Sequence, residues 1–266
     1  MLATELVKEG RLAEALVQLQ DEVRKNPANV NHRIFLFQLL VVLGRWERAA
    51  NQLSVIGELA ASALPMVQSY GPLLDCEVFR SKVFSGERAP LVFGDPEQWI
   101  AGLLEALRLT ALGKHAQAST LRESALQLAP ATAGEIEGAA FEWISDADTR
   151  LGPVCEAILN GKYYWIPFHR LSALVIEAPS DLRDSVWMPA QLTFVNGGQS
   201  VAFIPTRYPG SELHEDGLVQ LARKTEWREV YEDCFLGLGQ RMFATEAGEF
   251  PIMDVRRVDL RPGENS

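Results

Sequence analysis

Apolar positions recur at helical spacing through the first half of the chain. The sets are Leu12, Leu16 and Leu19, then Leu36, Leu40 and Leu43, then Leu103, Leu107 and Ala111, each forming a stripe along one face of an amphipathic helix. A longer period is laid over this one. Gly10, Leu12 and Ala15 return 34 residues later as Gly44, Trp46 and Ala49. A third copy reads Gly113, His115 and Ala118, and Pro130 follows its glycine by 17 residues, as Pro27 follows Gly10. A period of 34 with helix-turn-helix patterning is that of tetratricopeptide units. The glycine permits a tight turn between antiparallel helices, the alanine lets them approach closely, and the proline ends the second helix. The stretch 54–98 departs from the repeat: 66–84 reads as one helix, and GERAPLVFGDP after it as a loop.

Near residue 136 the pattern changes. Short alternating runs rich in β-branched and aromatic residues follow, bounded by Pro and Gly, and predict strands at Tyr163–Pro167, Ala173–Glu177, Gln191–Val195 and Val201–Pro205. Asn196, Gly197 and Gly198 between the last two give a hairpin, because a tight reversal needs positive φ. Further strands are expected at Arg241–Thr245 and Ile252–Val258, and short helices at Gly152–Leu159 and Glu215–Ala222. Trp143, Trp165, Trp187 and Trp227 fall in this half and suggest an aromatic core. The expected class is α+β: tetratricopeptide-like helical repeats over residues 1–135, then an α+β domain over 136–266 with an antiparallel or mixed sheet.

Composition narrows the function classes. In 266 residues, 47% are hydrophobic and 23% charged, ordinary values for a globular protein, and the net charge is −10. An acidic chain without a basic stripe is a poor partner for nucleic acid or an anionic membrane surface. No apolar run reaches the eighteen or so residues of a membrane span, and the amphipathic start lacks the apolar block of a signal peptide. Cys76, Cys155 and Cys234 are odd in number and far apart, as expected of free thiols in a reducing cytoplasm.

Signatures of catalysis are missing: there is no G-x-S-x-G, P-loop, dinucleotide fingerprint or H-E-x-x-H. His32, His115, His169 and His214 stand apart from one another and from the cysteines, so neither metal nor cofactor is expected. Charged clusters occur in the second half: Asp146, Asp148 and Arg150; His169 and Arg170; Asp181, Arg183 and Asp184; then Arg241 and Arg256-Arg257. Ion pairs that orient loops are one reading; a hydrolytic site in the α+β half, targeted by the repeats, is the alternative. The two are separated by whether these groups converge on a pocket.

Binding is the better-supported activity. In stacked repeats the first helix of each pair lines a concave surface. Register places Ile34, Gln38, Val41, Val42, Ile100, Leu103 and Leu107 on or near it, an apolar lining suited to an amphipathic helix. The same residues could instead be buried by the helix at 66–84. A third class, a structural subunit assembling through its own repeats, would show itself as concentration-dependent association.

The second half carries a family pattern. Arg150-Leu151-Gly152-Pro153, Asn160-Gly161, Tyr163-Tyr164-Trp165-Ile166-Pro167-Phe168, Asp181-Leu182-Arg183-Asp184 with Trp187, and Asn196-Gly197-Gly198 occur in order. Arg207-Tyr208-Pro209-Gly210-Ser211, Gly237-Leu238-Gly239-Gln240-Arg241 and Asp254-Val255-Arg256 follow. This series resembles the ImpE/TagJ family of accessory proteins of bacterial type VI secretion, with the helical half matching less sharply. The resemblance implies a cytoplasmic, non-enzymatic adaptor. It further implies that the adaptor grips the N-terminal helix of the small sheath subunit and is linked to the ATPase that disassembles the sheath.

Overall fold

Glycine turns set the helical half. The computed structural model describes residues 2–95, 97–261 and 263. Helices α1 (Leu2–Lys8) and α2 (Leu12–Lys25), α3 (Val30–Val42) and α4 (Trp46–Leu59), and α6 (Gln98–Ala111) and α7 (His115–Leu128) form three antiparallel pairs. Gly10, Gly44 and Gly113 turn them at φ of 77°, 63° and 72°, a region open to glycine and strained for other residues. The following residues, Arg11, Arg45 and Lys114, take nearly the same backbone angles. Ala15, Ala49 and Ala118 are buried at the close approach of each pair. Between the second and third pairs runs α5 (Leu64–Phe84), the single long helix read at 66–84.

The loop expected after α5 contains a short strand, β1 (Leu91–Val92). Pro96, at the end of that segment, lies outside the described residues. The strands that follow are β2 (Ala133–Ile136), β3 (Ala139–Phe141), β4 (Ser145–Asp146), β5 (Val154–Leu159), β6 (Lys162–Pro167), β7 (Leu171–Ile176), β8 (Trp187–Phe194) and β9 (Gln199–Pro205). A short helix, α8 (Gly217–Gln220), precedes β10 (Thr225–Tyr231), β11 (Cys234–Gly239), β12 (Met242–Thr245), β13 (Gly248–Pro251) and β14 (Arg257–Arg261). Nine strands build one mixed sheet in the order β1-β6-β5-β9-β8-β7-β14-β2-β3. Its pairings are antiparallel except β1 beside β6 at the edge. The α+β class with helices first and a sheet-rich second half is therefore as the pattern predicts. The β8–β9 hairpin turns at Asn196-Gly197, with Gly197 at φ of 81°.

Three local readings are corrected. Gly152–Leu159 is not helical; it contains β5, whose six residues are all buried. Both faces of this central strand are covered, so it shows no apolar–polar alternation, and a short unbroken apolar run is indistinguishable from buried helix by period alone. Of the strand expected at Ile252–Val258 only Arg257 and Val258 are extended, as the start of β14, the residues before them forming a turn after β13, and the helix at Glu215–Ala222 shrinks to α8. Of the four tryptophans, Trp165 and Trp187 are fully buried whereas Trp143 and Trp227 are partly exposed.

The two faces of the sheet have different tasks. Val154, Ile158, Tyr163, Trp165 and Trp187 share one core with α1–α6, while Cys155, Ala157, Leu159, Ile166, Met188 and Ile204 belong to a second core with Phe243, Ile252 and Val255. The first core crosses the expected boundary at residue 135, which itself falls within β2. Aromatic contacts run the same way: Phe37 to Tyr70, Tyr70 to Phe203 and Trp187, and Trp46 to Trp187.

Candidate functional site

The residues assigned by register to a groove occupy this shared core. Val41, Val42, Ile100, Leu103 and Leu107 are buried within the chain's own packing, so they form no open groove, and Leu107 only borders a cavity beside the third repeat. The correction has a clear cause: an isolated repeat stack leaves its lining open, whereas here α5 and the sheet cover it. Ile34 and Gln38 remain half-buried on α3.

Where helices and sheet meet, a connected set of charges is sealed from solvent. Glu156 sits in β5 on the helical side, and Arg80 of α5 donates Nε and Nη2 to its two carboxylate oxygens at 2.6 and 3.0 Å. Arg241 and the Tyr163 hydroxyl also donate to Glu156, and Trp165 Nε1 donates to the Tyr163 oxygen at 2.8 Å. Arg241 reaches on to Asp146, whose Oδ1 accepts the amide of Asp148 at 2.8 Å. Asp148 in turn accepts two side-chain bonds from Arg150, at 2.8 and 2.5 Å, and the amide of Gly237 at 2.8 Å. On the other side Glu77 accepts Trp187 Nε1 at 3.0 Å and stands 3.5 Å from Arg80.

The electrostatics follow from burial and pairing. Burial pushes the Glu156 carboxyl up, but Arg80 and Arg241 outweigh it and hold the group at about 2. Asp146 is dominated by burial, opposed by Arg241 and reinforced by Asp148, and is raised to about 6. Cys155, buried beneath the same strand, is pushed up to about 12 and is no nucleophile at neutral pH.

Arg207 joins the halves differently. It donates Nη1 to the Val42 carbonyl at 2.6 Å and Nη2 to the Val41 carbonyl at 3.1 Å, ending α3 with a positive charge. It also reaches the carbonyl of Gln220 at 2.6 Å. Nearby, a Cβ on Gly217 would stand 1.9 Å from the Gly10 carbonyl oxygen, so the first repeat turn meets the α8 segment backbone to backbone.

The clusters noticed in sequence thus separate. Asp146, Asp148, Arg150 and Arg241 do come together, but as a buried framework that includes Glu77, Arg80, Glu156 and Arg207, which sequence reasoning missed. His169 and Arg170 pair elsewhere with Glu97, at 3.0 and 2.9 Å. Asp181 and Asp184 form a capping box around the 3₁₀ turn at Leu182–Ser185, with Arg183 over the Tyr70 ring at 4.4 Å. Arg256 donates its side chain to the carbonyls of Val255 and Met253. Asp146 and Asp148, Arg183 and Asp184, and His169 thus fall in three separate clusters among the described residues. The one available signal was Glu156, a lone carboxylate inside an apolar run.

Open apolar surface lies elsewhere. Leu2, Leu6, Ala13 and Val17 line a groove of about 420 Å³ between α1 and α2, rimmed by Glu14 and Gln18. Leu2 and Val17 are more than half exposed there.

Fold and surface together define a helical-repeat scaffold fused face to face with a mixed sheet, with a charge network buried at the join and an apolar groove left on its first repeat. Residues 138–259 match the family described as ImpE protein. The chain is 53% identical, over 98% of its own length and 92% of its relative's, to the type VI secretion system accessory component TagJ of Pseudomonas aeruginosa. It belongs to the ImpE/TagJ family. A crystal structure of protein VPA1032 from Vibrio parahaemolyticus, 23% identical, superposes over 100% of this chain and 99% of that one with a TM-score of 0.90, which establishes the shared fold. No described helix is long and apolar enough to cross a membrane.

Proposed function

We propose that this protein is a non-enzymatic adaptor of the type VI secretion system. In this reading it works in the cytoplasm, holds the N-terminal helix of the small sheath subunit, and presents the sheath to the ATPase that disassembles it. The observation that carries the reading is the 53% identity, along nearly the whole chain, to a protein described as an accessory component of that system. The three free, buried cysteines accord with a reducing compartment. The hydrolytic alternative is disfavoured because Asp146, Asp148 and Glu156 are sealed from solvent and committed to arginines.

The grip is assigned to the α1–α2 groove, where Leu2, Leu6, Ala13 and Val17 offer an apolar strip to the greasy face of a helix, with Ile34 and Gln38 as the remaining accessible members of the earlier set. Titrating the full-length chain with a peptide of the sheath subunit's N-terminal helix is the test. Saturable binding that Val17→Asp removes, with the circular dichroism melt unchanged, is expected. A flat titration at about 100 μM peptide, on the scale where 1 μM corresponds to roughly −8 kcal/mol, would sink the reading.

A further inference from the structure

A second cavity lies where the third repeat meets the β10–β11 hairpin. It measures about 560 Å³ and is lined by Phe84, Leu107, Thr110, Ala111, Gly113, His115, Arg150, Arg228, Val230 and Leu236. No carboxylate lines it, although the chain carries a net charge of −10. Arg228 is exposed and, among the described residues, its side chain makes no ion pair or hydrogen bond. Arg150 engages Asp148 through Nε and Nη2 and lies with its guanidinium 5.0 Å from the Phe84 ring centroid, and among the described residues its Nη1 makes no hydrogen bond. The Nδ1 atom of His115 is buried without a partner.

Directly behind the wall stands Arg122. Its side chain is 5% exposed, and it donates to Thr110 Oγ1 at 3.0 Å and to Cys234 Sγ at 3.4 Å. Its Nε has no partner, and no described carboxylate pairs with it. A buried guanidinium without a counter-charge is costly, and an anion in the adjoining cavity would supply one through the Thr110 wall.

We propose that this cavity binds a small organic phosphate. Basic side chains from three separate elements line it: Arg228 on β10, His115 at the start of α7, and Arg150 before β5. A phosphate carries more than one charge and three terminal oxygens, a better match to a wall of basic groups than a carboxylate with one charge and two oxygens. The opening of α7 on the same wall adds the favourable end of a helix dipole. Phe84, Leu107, Val230 and Leu236 give the remaining walls an apolar character suited to the organic part of such a ligand, and the volume falls in the usual range for small-molecule sites.

Calorimetry of the full-length chain with pyrophosphate, ADP, adenosine and a hexaglutamate peptide tests this. Pyrophosphate and ADP should bind with Kd below about 1 mM, with adenosine and the peptide silent. Equal affinities would assign recognition to the phosphate group alone, and tighter ADP binding would add the apolar walls. Arg228→Glu should weaken both by at least about tenfold and Arg228→Lys by less, neither altering the thermal melt because the residue is exposed. Silence of both phosphates overturns the proposal, as does unchanged affinity in Arg228→Glu. ADP binding with pyrophosphate silent overturns the charge argument, and binding of the peptide alone would point instead to an acidic protein segment.

Discussion

Arg80 and Glu156 lie 76 positions apart in sequence, yet they meet in a two-pronged ion pair that closes the interface between the long helix and the centre of the sheet. Both are almost wholly removed from water. A buried pair of this kind is weak evidence for added stability, but breaking it strands the survivor. Glu156 is also the point where Arg241 and Tyr163 converge, so its loss strands more than one partner.

Glu156→Gln should therefore destabilise the chain by about 3–5 kcal/mol at neutral pH. Urea unfolding followed by tryptophan fluorescence would measure it. A loss under ~1 kcal/mol, the scale of an exposed pair, would mean that the network relaxes around the amide.

The pH profile has two opposed contributions. Glu156 is depressed from 4.5 to about 2, so its stabilisation is present above pH 4.5 and disappears as pH falls through about 2. Asp146 is raised from 3.8 to about 6, so its contribution is present below pH 3.8 and disappears as pH rises through about 6. Unfolding midpoints measured between pH 4 and 6 should fall less with rising pH in Asp146→Asn than in the parent chain. Parallel curves would show that Asp146 titrates normally.

Two turn glycines in equivalent repeat positions should respond unequally to valine. Both have positive φ, but a Cβ on Gly44 would stand 2.5 Å from Glu212 Cγ, whereas one on Gly113 meets nothing within 4 Å. Gly44→Val should cost more than ~1 kcal/mol, and more than Gly113→Val in the same denaturation assay. Equal losses would leave backbone strain as the whole effect.

Leu103→Asp should unfold the protein rather than blunt a binding surface, because Leu103 is buried in the shared core and the new carboxylate would have no partner. Far-ultraviolet circular dichroism separates the outcomes; a folded variant that no longer binds its peptide would restore the open groove.

The helical half alone, residues 1–130, should fail to fold cooperatively, since its apolar faces on α3, α5 and α6 are completed by Val154, Trp165 and Trp187. A sharp two-state melt of that fragment would contradict the shared core.

Features carried by neighbouring residues were legible in the sequence. Gly10, Gly44 and Gly113 announce three turns because the requirement for positive φ is local, and Asn196-Gly197 announces the hairpin for the same reason. The α+β division was legible because the period of the apolar pattern changes. What pairs at a distance was not. Nothing in the order of residues ties Arg80 to Glu156, or Arg207 to the carbonyls of Val41 and Val42. Residues Val154–Leu159 misled because a strand covered on both sides carries no alternation. The expected groove failed at Leu103 and Leu107 for a related reason: repeat register says which way a side chain points, not what the rest of the chain places in front of it.

The sheet packed across the inner helices also gives the molecule a mechanical character. In an ordinary array each repeat touches only its neighbours, so successive units can rock and the array bends. Here α3, α5 and α6 are each anchored to a common slab, and Arg207 fastens the end of α3 to it. A force applied to the first repeat is delivered to the sheet without being absorbed by bending between units. The chain is built as a rigid bracket rather than a spring, a form suited to holding one element at a fixed distance and angle from another.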